Sequence, residues 1–405
     1  SRRPGPSSGR MHRNIRHVAV LIESSRAYGR GLLLGVARYN REHGHWSVYL
    51  QPHGLDHPPP PWLRRWRGDG ILARIGDRRM LRAVLATGKP TIDLRGMVPG
   101  LDMPFVGVDN AAVAELAVGH LLGRGLRHFG FCGLPTGVHP HMDERRDHFV
   151  ARMARAGYDV RVYATKSGPR TPWDVEQDRL AAWVARLPRP AGIMTCHDDR
   201  GLQVLDACQA AGVAVPDEVA IISVDDDELL CGMFTPQLSS IDVNPERIGY
   251  AAAELLDRMM GGEPARSGPV LIPPRGVTLR QSTDTLAIDD PEVAEALRQI
   301  RDHACEGLRV DDLLGQVAVS RSSLERRFRS LVGRSPKAEI SRVQLDRAKQ
   351  LLSESHMTLD AVAARSGFRD ARYLCDVFAK RVGMTPRAYR EQTRRSPATY
   401  AADPR

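Results

Sequence analysis

Residues 320–333 read Ser-Arg-Ser-Ser-Leu-Glu-Arg-Arg-Phe-Arg-Ser-Leu-Val-Gly, and residues 370–383 read Asp-Ala-Arg-Tyr-Leu-Cys-Asp-Val-Phe-Ala-Lys-Arg-Val-Gly. Each stretch follows a short amphipathic segment and a tight turn. Two short helices joined in this way form a helix-turn-helix, whose second helix enters the major groove of DNA. The repeat therefore predicts a DNA-binding domain with two helix-turn-helix motifs, at about 311–332 and 359–382.

The positive charge of the chain is concentrated on this repeat. The formal net charge is +10 over 405 residues, and residues 320–390 hold 16 Lys and Arg against 7 Asp and Glu. A surplus of this kind is expected of a surface that binds phosphates, although charge runs often are only solvated helical faces. Because the basic residues coincide with both second helices, we favour the DNA-binding interpretation.

The repeat resembles the AraC/XylS family of regulators, in which a long helix joins two helix-turn-helix motifs. The segment 335–352 would be that helix here, with Ser335 as its N-cap and Pro336 as its first residue. A rigid joining helix would hold the two recognition helices about one DNA turn apart. The residues that carry the resemblance most specifically are Gly367, Phe368, Phe378, Gly383, Thr385, Pro386 and Tyr389.

The resemblance assigns DNA contacts to the exposed faces of both recognition helices. In the first helix, Leu324, Phe328 and Leu331 share a face and are expected in the core. Base edges are assigned to Ser322, Glu325 and Arg326, and phosphates to Arg321 and Arg329. In the second helix, Leu374 and Phe378 are expected in the core. The exposed residues assigned to DNA there are Arg372, Tyr373, Asp376 and Lys380.

Residues 15–283 alternate short β-branched runs with longer helical stretches. His17 to Ile22 predicts a strand and Tyr28 to Asn40 a helix, and the pattern then repeats along the segment. Strands that alternate with helices indicate βαβ units and parallel sheets. The units are too many for one compact sheet, so we expect an α/β fold of two doubly wound lobes with a cleft between them.

This segment resembles the sensor of LacI/GalR-type regulators, which is periplasmic-binding-protein-like. The resemblance is carried by the stretches 108–110, 125–133, 215–226 and 235–241. It implies a small sugar in the cleft, because sugar hydroxyls require carboxylate acceptors, guanidinium donors and an aromatic face. The residues that the resemblance assigns to the sugar are Ser25, Arg26, Arg145, Trp173, His197, Asp198 and Asp225.

Each of these assignments competes with a structural alternative. Trp173 follows a proline and could be a core residue at a helix start, and Arg145 could be a surface salt-bridge partner. Asp225 stands in a run of three acids, some of which could only cap the next helix. His139 and His141 have the spacing of a metal pair but lack a third ligand nearby in sequence, so we expect a plain loop there.

The order of sensor and reader in this chain resembles the regulators of xylose operons. That resemblance implies an aldopentose effector, with D-xylose the first choice, and a homodimeric activator that binds double-stranded DNA and works with RNA polymerase. The alternatives are a transport-type sugar-binding protein and a regulator of a non-pentose ligand. We expect no enzymatic activity and no cofactor or metal, because nucleotide-binding fingerprints and nucleophile–base pairs at a recognised spacing are missing.

Composition and domain limits complete the prediction. The six cysteines form no C-x-x-C pair, and no apolar run approaches the roughly 18–20 residues of a membrane span, so we expect a cytoplasmic protein. Met11 could be the native start. The expected segments are a disordered extension at 1–14, the sensor at 15–283, a linker at 284–291, the DNA-binding domain at 292–392 and a disordered tail at 393–405.

Overall fold

The computed structural model describes residues 15–43, 46–51, 54, 57–98, 100, 103–163, 172–264, 268–285, 288, 290–355 and 357–394. The extension predicted at 1–14 and most of the predicted tail lie outside these residues. Contacts divide the chain after Thr285 into two compact units, a sensor unit and a helical unit. Within the described ranges, no helix combines the length and the hydropathy that a membrane crossing requires.

The sensor unit alternates strands and helices along the chain, as its sequence pattern predicts. Its strands are β1 (Arg16–Leu21), β2 (Trp46–Leu50), β3 (Gly70–Ala73), β4 (Thr91–Asp93), β5 (Val106–Val108), β6 (His128–Cys132), β7 (Val160–Tyr163), β8 (Ala191–Thr195), β9 (Val219–Val224), β10 (Ser239–Asp242), β11 (Val270–Ile272) and β12 (Gly276–Thr278). Its helices are α1 (Ala27–Glu42), α2 (Arg78–Leu85), α3 (Asn110–Gly123), α4 (Pro140–Arg155), α5 (Trp173–Ala185), α6 (Asp198–Ala210), α7 (Glu228–Met233) and α8 (Pro245–Met260).

These elements form two lobes. The first contains a parallel sheet in the order β2-β1-β3-β4, extended by the parallel pair of β5 and β11. The second contains a six-stranded sheet in the order β12-β10-β9-β8-β6-β7, in which only β12 is antiparallel. The chain passes between the lobes after β5, after β10 and after β11. The fold prediction of two lobes built on parallel sheets is confirmed.

Helices α1 and α8 pack closely on one face of the first sheet. A Cβ atom at Gly249 would lie 2.1 Å from the carbonyl oxygen of Leu32, and one at Gly35 would lie 2.0 Å from that of Glu246. Both distances are far shorter than a carbon–oxygen contact, so the two helix backbones approach each other only because these residues are glycines. Helix α8, which follows the last parallel strand of the second lobe, therefore packs against α1 of the first lobe at a distance that only small residues allow.

The helical unit consists of seven α-helices among its described residues. They are α9 (Pro291–His303), α10 (Val310–Leu314), α11 (Arg321–Val332), α12 (Pro336–Glu354), α13 (Leu359–Arg365), α14 (Ala371–Val382) and α15 (Pro386–Arg394). The predicted helix-turn-helix motifs correspond to α10 with α11 and to α13 with α14. Two residues assigned to the disordered tail, 393 and 394, belong to α15.

The two recognition helices, α11 and α14, have the same construction 50 residues apart. Ser320 caps α11 by accepting from the backbone N–H of Ser323, and Asp370 caps α14 in the same way. Both helices end at a glycine in the left-handed region, Gly333 with φ 76° and Gly383 with φ 79°. The matching caps show that the repeat in sequence is a repeat in structure.

The cores of the two motifs differ in one respect from the prediction. Leu324 and Phe328 are fully buried in α11, as are Leu374 and Phe378 in α14. The prediction that Leu331 lies in the core is wrong, because its side chain is 48% exposed and Val332 is buried in its place. Positions 324, 328 and 332 form a row with a spacing of four residues, and this row faces the rest of the motif. These core positions leave the remaining faces of both helices to solvent.

Helix α12 contributes to both cores and therefore joins the two motifs. Ile340 packs with α9 and α11, whereas Leu345, Leu351 and Leu352 pack with α13 and α14. The predicted start of this helix is confirmed, since the Ser335 hydroxyl accepts from the backbone N–H of Ala338 and Pro336 is the first residue. A continuous helix thus fixes the first motif relative to the second.

Candidate functional site

A cavity of about 1000 Å³ lies between the two lobes of the sensor unit. The first lobe contributes the start of α1 and the loops that follow β3 and β4. The second lobe contributes the first turns of α4 and the loops after β8 and β9. All of these loops follow the carboxyl ends of parallel strands, where ligands of open α/β sheets bind. Four of the predicted sugar-binding residues line this cavity, namely Arg26, Arg145, His197 and Asp225.

Asp225 follows directly after β9 and takes an uncommon backbone conformation. Its φ is 109°, in the region that favours glycine, and its N–H donates to the carbonyl of Ile241 at 3.0 Å. Burial raises the pKa of its carboxyl group to about 6, while the positive charges of Arg145 and Arg74 act in the opposite direction. Backbone strain is maintained only where surrounding structure enforces it, and the strained residue here is part of the cavity lining.

Arg145 is a buried cation on α4. Its side chain belongs to a residue only 3% exposed, which excludes the alternative of a surface salt bridge. Its Nε donates to Oδ1 of Asn110 at 3.0 Å, and its Nη1 donates to the carbonyl of Cys196. Within the described part of the chain, no carboxylate lies at ion-pair distance from this guanidinium. Its charge is therefore available to a ligand in the cavity, with Asp225 as the neighbouring anion.

His197 and Asp198 take different positions. The His197 ring lines the cavity, and its Nδ1 accepts from the backbone N–H of Arg200 at 3.1 Å. Burial lowers the pKa of His197 to about 4, so the ring is neutral at pH 7. Asp198 does not line the cavity: it accepts from Ser240 Oγ at 2.6 Å and from the N–H of Asp227 at 2.8 Å. Through these two hydrogen bonds Asp198 stabilises the loops around the cavity without lining it.

Arg26 brings the two lobes together at the edge of the cavity. Its Nη1 lies 2.9 Å from Oδ2 of Asp199 in the second lobe, and both side chains are exposed. The N–H of Ala27 donates to Asp227 across the same boundary at 3.4 Å. Ser25, predicted with Arg26, is exposed and does not line the cavity; its carbonyl accepts from Arg30.

Trp173 does not join the cavity residues. Its side chain is 64% exposed on the first turn of α5, so it is neither a ring platform in this cavity nor a core residue. The proline before it sets the helix start, and the indole then faces solvent because the buried side of α5 is formed by Leu180 and Val184. The placement of Trp173 in the sugar site therefore finds no support in this arrangement.

Sequence reasoning missed two prominent residues of the cavity, Tyr28 and Arg74. The guanidinium of Arg74 lies 4.9 Å from the centre of the Tyr28 ring and pairs with the buried carboxylate of Glu23. Burial raises the pKa of Tyr28 to about 12. Arg74 comes directly after β3, at the carboxyl end of a parallel strand, and that position was a usable signal. Tyr28 places an aromatic ring in the lining of the cavity, where Trp173 does not.

The two histidines that precede Arg145 lie in a helix start, not in the plain loop expected for them. His139 is the N-cap residue of α4 and His141 lies in its first turn, with ring centres 6.0 Å apart. Burial lowers the pKa of His141 to about 3. Among the described residues, no group of three His, Cys, Asp or Glu side chains could hold a metal ion. Both residues line the cavity, and the neutral His141 ring can donate or accept hydrogen bonds there.

The residues assigned to DNA in α11 all lie at the surface, but some of them form ion pairs within the chain. Ser322, Arg326 and Arg329 are exposed. Arg321 bonds to Asp311 at 2.7 Å and to Glu325 at 3.2 Å. Arg321 and Glu325 are thus bound to each other in the DNA-free chain, and DNA would have to compete with these exposed ion pairs.

The assigned residues of α14 are exposed as well. Arg372, Asp376 and Lys380 face solvent, and the Tyr373 ring is 43% exposed. The guanidinium of Arg369 lies 5.4 Å from the centre of the Tyr373 ring. Asp376 occupies the position equivalent to Arg326 in the first motif, so the two recognition helices present opposite charges at this point.

Comparison with known proteins follows the same division of the chain. Residues 118–283 match a model of the periplasmic binding protein-like domain, and residues 313–392 match a helix-turn-helix domain. The xylose operon regulatory protein of Haemophilus influenzae is 31% identical over 379 residues, covering 92% of this chain and 97% of that protein. Its counterpart in Escherichia coli K12 is 30% identical over 380 residues, covering 92% and 96%.

A solved structure shows the same architecture over almost the whole chain. It is described as the xylose-binding transcription activator xylR, and it superposes with a TM-score of 0.75 at 30% identity. The match covers 94% of this chain and 99% of that structure. The domains, their order and the extent of the similarity all agree. This chain therefore belongs to the family of xylose operon regulatory proteins.

Proposed function

We propose that this chain regulates transcription by binding DNA through α11 and α14 under the control of a small sugar in the inter-lobe cavity. The observation that carries the proposal is that the Asp225 carboxyl group and the buried Arg145 guanidinium are neighbouring charges in the lining of that cavity, in a chain that also contains two helix-turn-helix motifs. The proposal extends to a cytoplasmic homodimer that activates transcription with RNA polymerase and has no enzymatic activity.

The chemistry of the cavity suits a polyhydroxylated ligand. Asp225 provides two acceptor oxygens for hydroxyl donors, and Arg145 and Arg26 provide donors for hydroxyl oxygens. Tyr28 offers an aromatic face to the C–H surface of a sugar ring. D-xylose is the first effector to test, because the relatives of this chain are named as xylose operon regulators and a xylose-binding activator.

Sugar binding can control DNA binding only if it favours one conformation of the sensor. A volume of about 1000 Å³ is at the upper limit of small-ligand sites and leaves room for the lobes to close around a monosaccharide. Closure around the sugar would give the closed state contacts that the open state lacks. Without that difference in contacts, even tight binding would not shift the equilibrium between the open and closed states.

The helical unit suits two successive major-groove contacts. Helix α12 has 19 residues and is therefore roughly 28 Å long. The two motifs pack on different parts of it, so their recognition helices can be held on the order of one DNA turn, about 34 Å, apart. Exposed arginines and lysines on both helices would supply phosphate contacts and salt-dependent affinity.

Calorimetric titration of the full chain with D-xylose, L-arabinose, D-ribose and D-glucose tests the sensor. We expect saturable binding of a pentose, strongly weakened in Asp225→Asn and unchanged in Asp174→Asn, an equivalent change on the exposed first turn of α5. Saturable binding of glucose alone would show that the effector is a sugar other than a pentose. No heat from any of the four would refute the proposed class of effector.

A further inference from the structure

The segment that joins the two units is fixed firmly to the sensor at its first end. The Ser282 hydroxyl accepts from the N–H of Ser239 at 2.8 Å, and the Thr283 hydroxyl bonds to Ser239 Oγ at 2.8 Å. The next residue of that strand, Ser240, donates to Asp198 at 2.6 Å. Asp198 directly follows His197, which lines the cavity. The end of the sensor unit is therefore connected to a cavity residue through two hydrogen bonds and two peptide links.

The same segment is fixed to the first helix-turn-helix at its other end. Ile288 packs against the hydrophobic core formed by α9, α10 and α11. Asp290 caps α9, accepting from the N–H of Val293 at 3.1 Å, and also binds Arg327 of α11. Arg327 Nε donates to Oδ2 of Asp290 at 2.5 Å, while its Nη2 donates to Oδ1 of Asp290 and to Glu292 at 2.8 Å. The segment predicted as a linker thus ends in a bidentate ion pair with a recognition helix.

The position of Arg327 on α11 gives this contact its significance. Arg326, assigned to base edges, is its neighbour in sequence and points outward, whereas Arg327 is partly buried against the start of α9. The hydrogen bonds from Arg327 lower the pKa of Asp290, so the pair is fully charged at neutral pH. A guanidinium that binds a carboxylate through two nitrogens restricts orientation as well as distance. Movement of Asp290 would therefore act on the orientation of α11.

We propose that Arg327 is a positioning residue which, through Asp290, transmits the state of the sensor to the first recognition helix. The inference rests on the proposed function and adds its route of regulation. In the sequence, only two residues, 286 and 287, lie between the buried Thr285 and Ile288, so the two anchored positions are close neighbours along the chain. A shift in the strand that holds Ser239 would reach α11 through this short connection.

The variant Asp290→Asn separates this role from simple stabilisation. Asparagine is as good an N-cap as aspartate, so α9 keeps its cap while the charged pair with Arg327 is lost. Arg327→Gln removes the pair from the other side, and Arg327→Lys keeps the charge without the two-pronged geometry. Arg342→Gln is the matched control, because it removes an arginine with carboxylate partners on α12, away from the joining segment.

The measurement is the affinity of the full chain for a DNA duplex selected from a random library by the wild type, with and without saturating D-xylose. Coupling between sites changes affinity by typically about 5- to 150-fold. We expect Asp290→Asn and Arg327→Gln to reduce the sugar-induced change at least threefold, with Arg327→Lys intermediate and Arg342→Gln unchanged. The affinity for sugar, measured by calorimetry, and for DNA without sugar should stay within about twofold of the wild type, which a merely structural role would not predict.

An unchanged response to sugar in both Asp290→Asn and Arg327→Gln would overturn the inference. If the wild type itself shows no heat with D-xylose, the proposed effector has failed, and hydrogen exchange of the sugar-free chain decides the inference separately. Asp290→Asn should then accelerate amide exchange in α11 while leaving α14 unaffected. Equal exchange in α11 of the variant and the wild type would show that the segment does not hold this helix.

Discussion

Replacement of Asp225 by asparagine should weaken sugar binding and remove its dependence on pH. The ionised carboxylate is a much stronger acceptor of hydroxyl hydrogen bonds than the protonated acid, so protons compete with the sugar. Its pKa is raised to about 6 by burial, within an experimentally accessible range. Affinity should therefore be constant above about pH 7 and should fall as the pH drops through 6. The neighbouring arginines stay charged throughout, and His197, with a pKa of about 4, stays neutral.

The expected changes in sugar affinity follow from the pKa of Asp225 and from the strength of a hydrogen bond to a charged group. With a pKa of about 6, roughly one Asp225 in eleven is ionised at pH 5, so the wild type should bind sugar roughly tenfold more weakly at pH 5 than at pH 8. A hydrogen bond to a charged group contributes about 1.5–3 kcal/mol. Asparagine keeps one acceptor oxygen and loses the charge, so Asp225→Asn should cost about ten- to a hundredfold in affinity at pH 8.

Calorimetry of the wild type and of Asp225→Asn at pH 5, 6, 7 and 8 tests both the expected pH dependence of sugar affinity and the expected effect of the substitution. Asp198→Asn is the control, because Asp198 has a raised pKa of about 7 but makes its hydrogen bonds outside the cavity. That variant should keep the step near pH 6. Wild-type affinities that are equal at pH 5 and pH 8 would refute the assignment of Asp225 as the acceptor, as would a step that persists in Asp225→Asn.

Three further predictions concern packing and DNA contact. Gly249→Ala should destabilise the sensor by about 1–3 kcal/mol in urea unfolding, because its methyl group would meet the Leu32 carbonyl; equal stability would contradict the close packing of α1 on α8. Phe328→Ala should cost about 3–5 kcal/mol in the first motif and raise amide exchange in α11 before α14; uniform exchange would count against separate cores. Arg326→Ala should weaken selected DNA by about 1–3 kcal/mol and relax sequence choice, whereas Arg329→Ala should weaken all sequences and lower the salt slope by about one; the reverse pattern would exchange their roles.

Local patterns were sufficient to predict much of the fold. Strands such as β3 and β6, and the caps Ser335 and Ser320, depend on runs, turns and side-chain bonds within a few residues. The repeat of leucine and phenylalanine in α11 and α14 likewise predicts its own buried face. Leu331 was misplaced because positions three and four residues after Phe328 compete for that face, and tertiary packing decides between them.

The cavity required information that is distant in sequence. Arg74, Arg145 and Asp225 come from three different parts of the chain, and only the return of α8 to the first lobe completes the two-lobed arrangement. Resemblance placed Arg145 and Asp225 in the cavity but also nominated Trp173, whose orientation is set by the start of α5. The link from Asp290 to Arg327 had no sequence signal, since it depends on how α9 packs against α11.

The central claim is that a sugar in the sensor changes the affinity of the helical unit for DNA. Fluorescence anisotropy of a labelled duplex, selected by the full chain from a random library, measures this directly as D-xylose is added. The account predicts at least a fivefold change in DNA affinity at saturating sugar, and a response in Asp225→Asn that requires about ten- to a hundredfold more sugar. Superimposable DNA-binding curves with and without D-xylose, for a wild-type chain that binds the sugar, would contradict it.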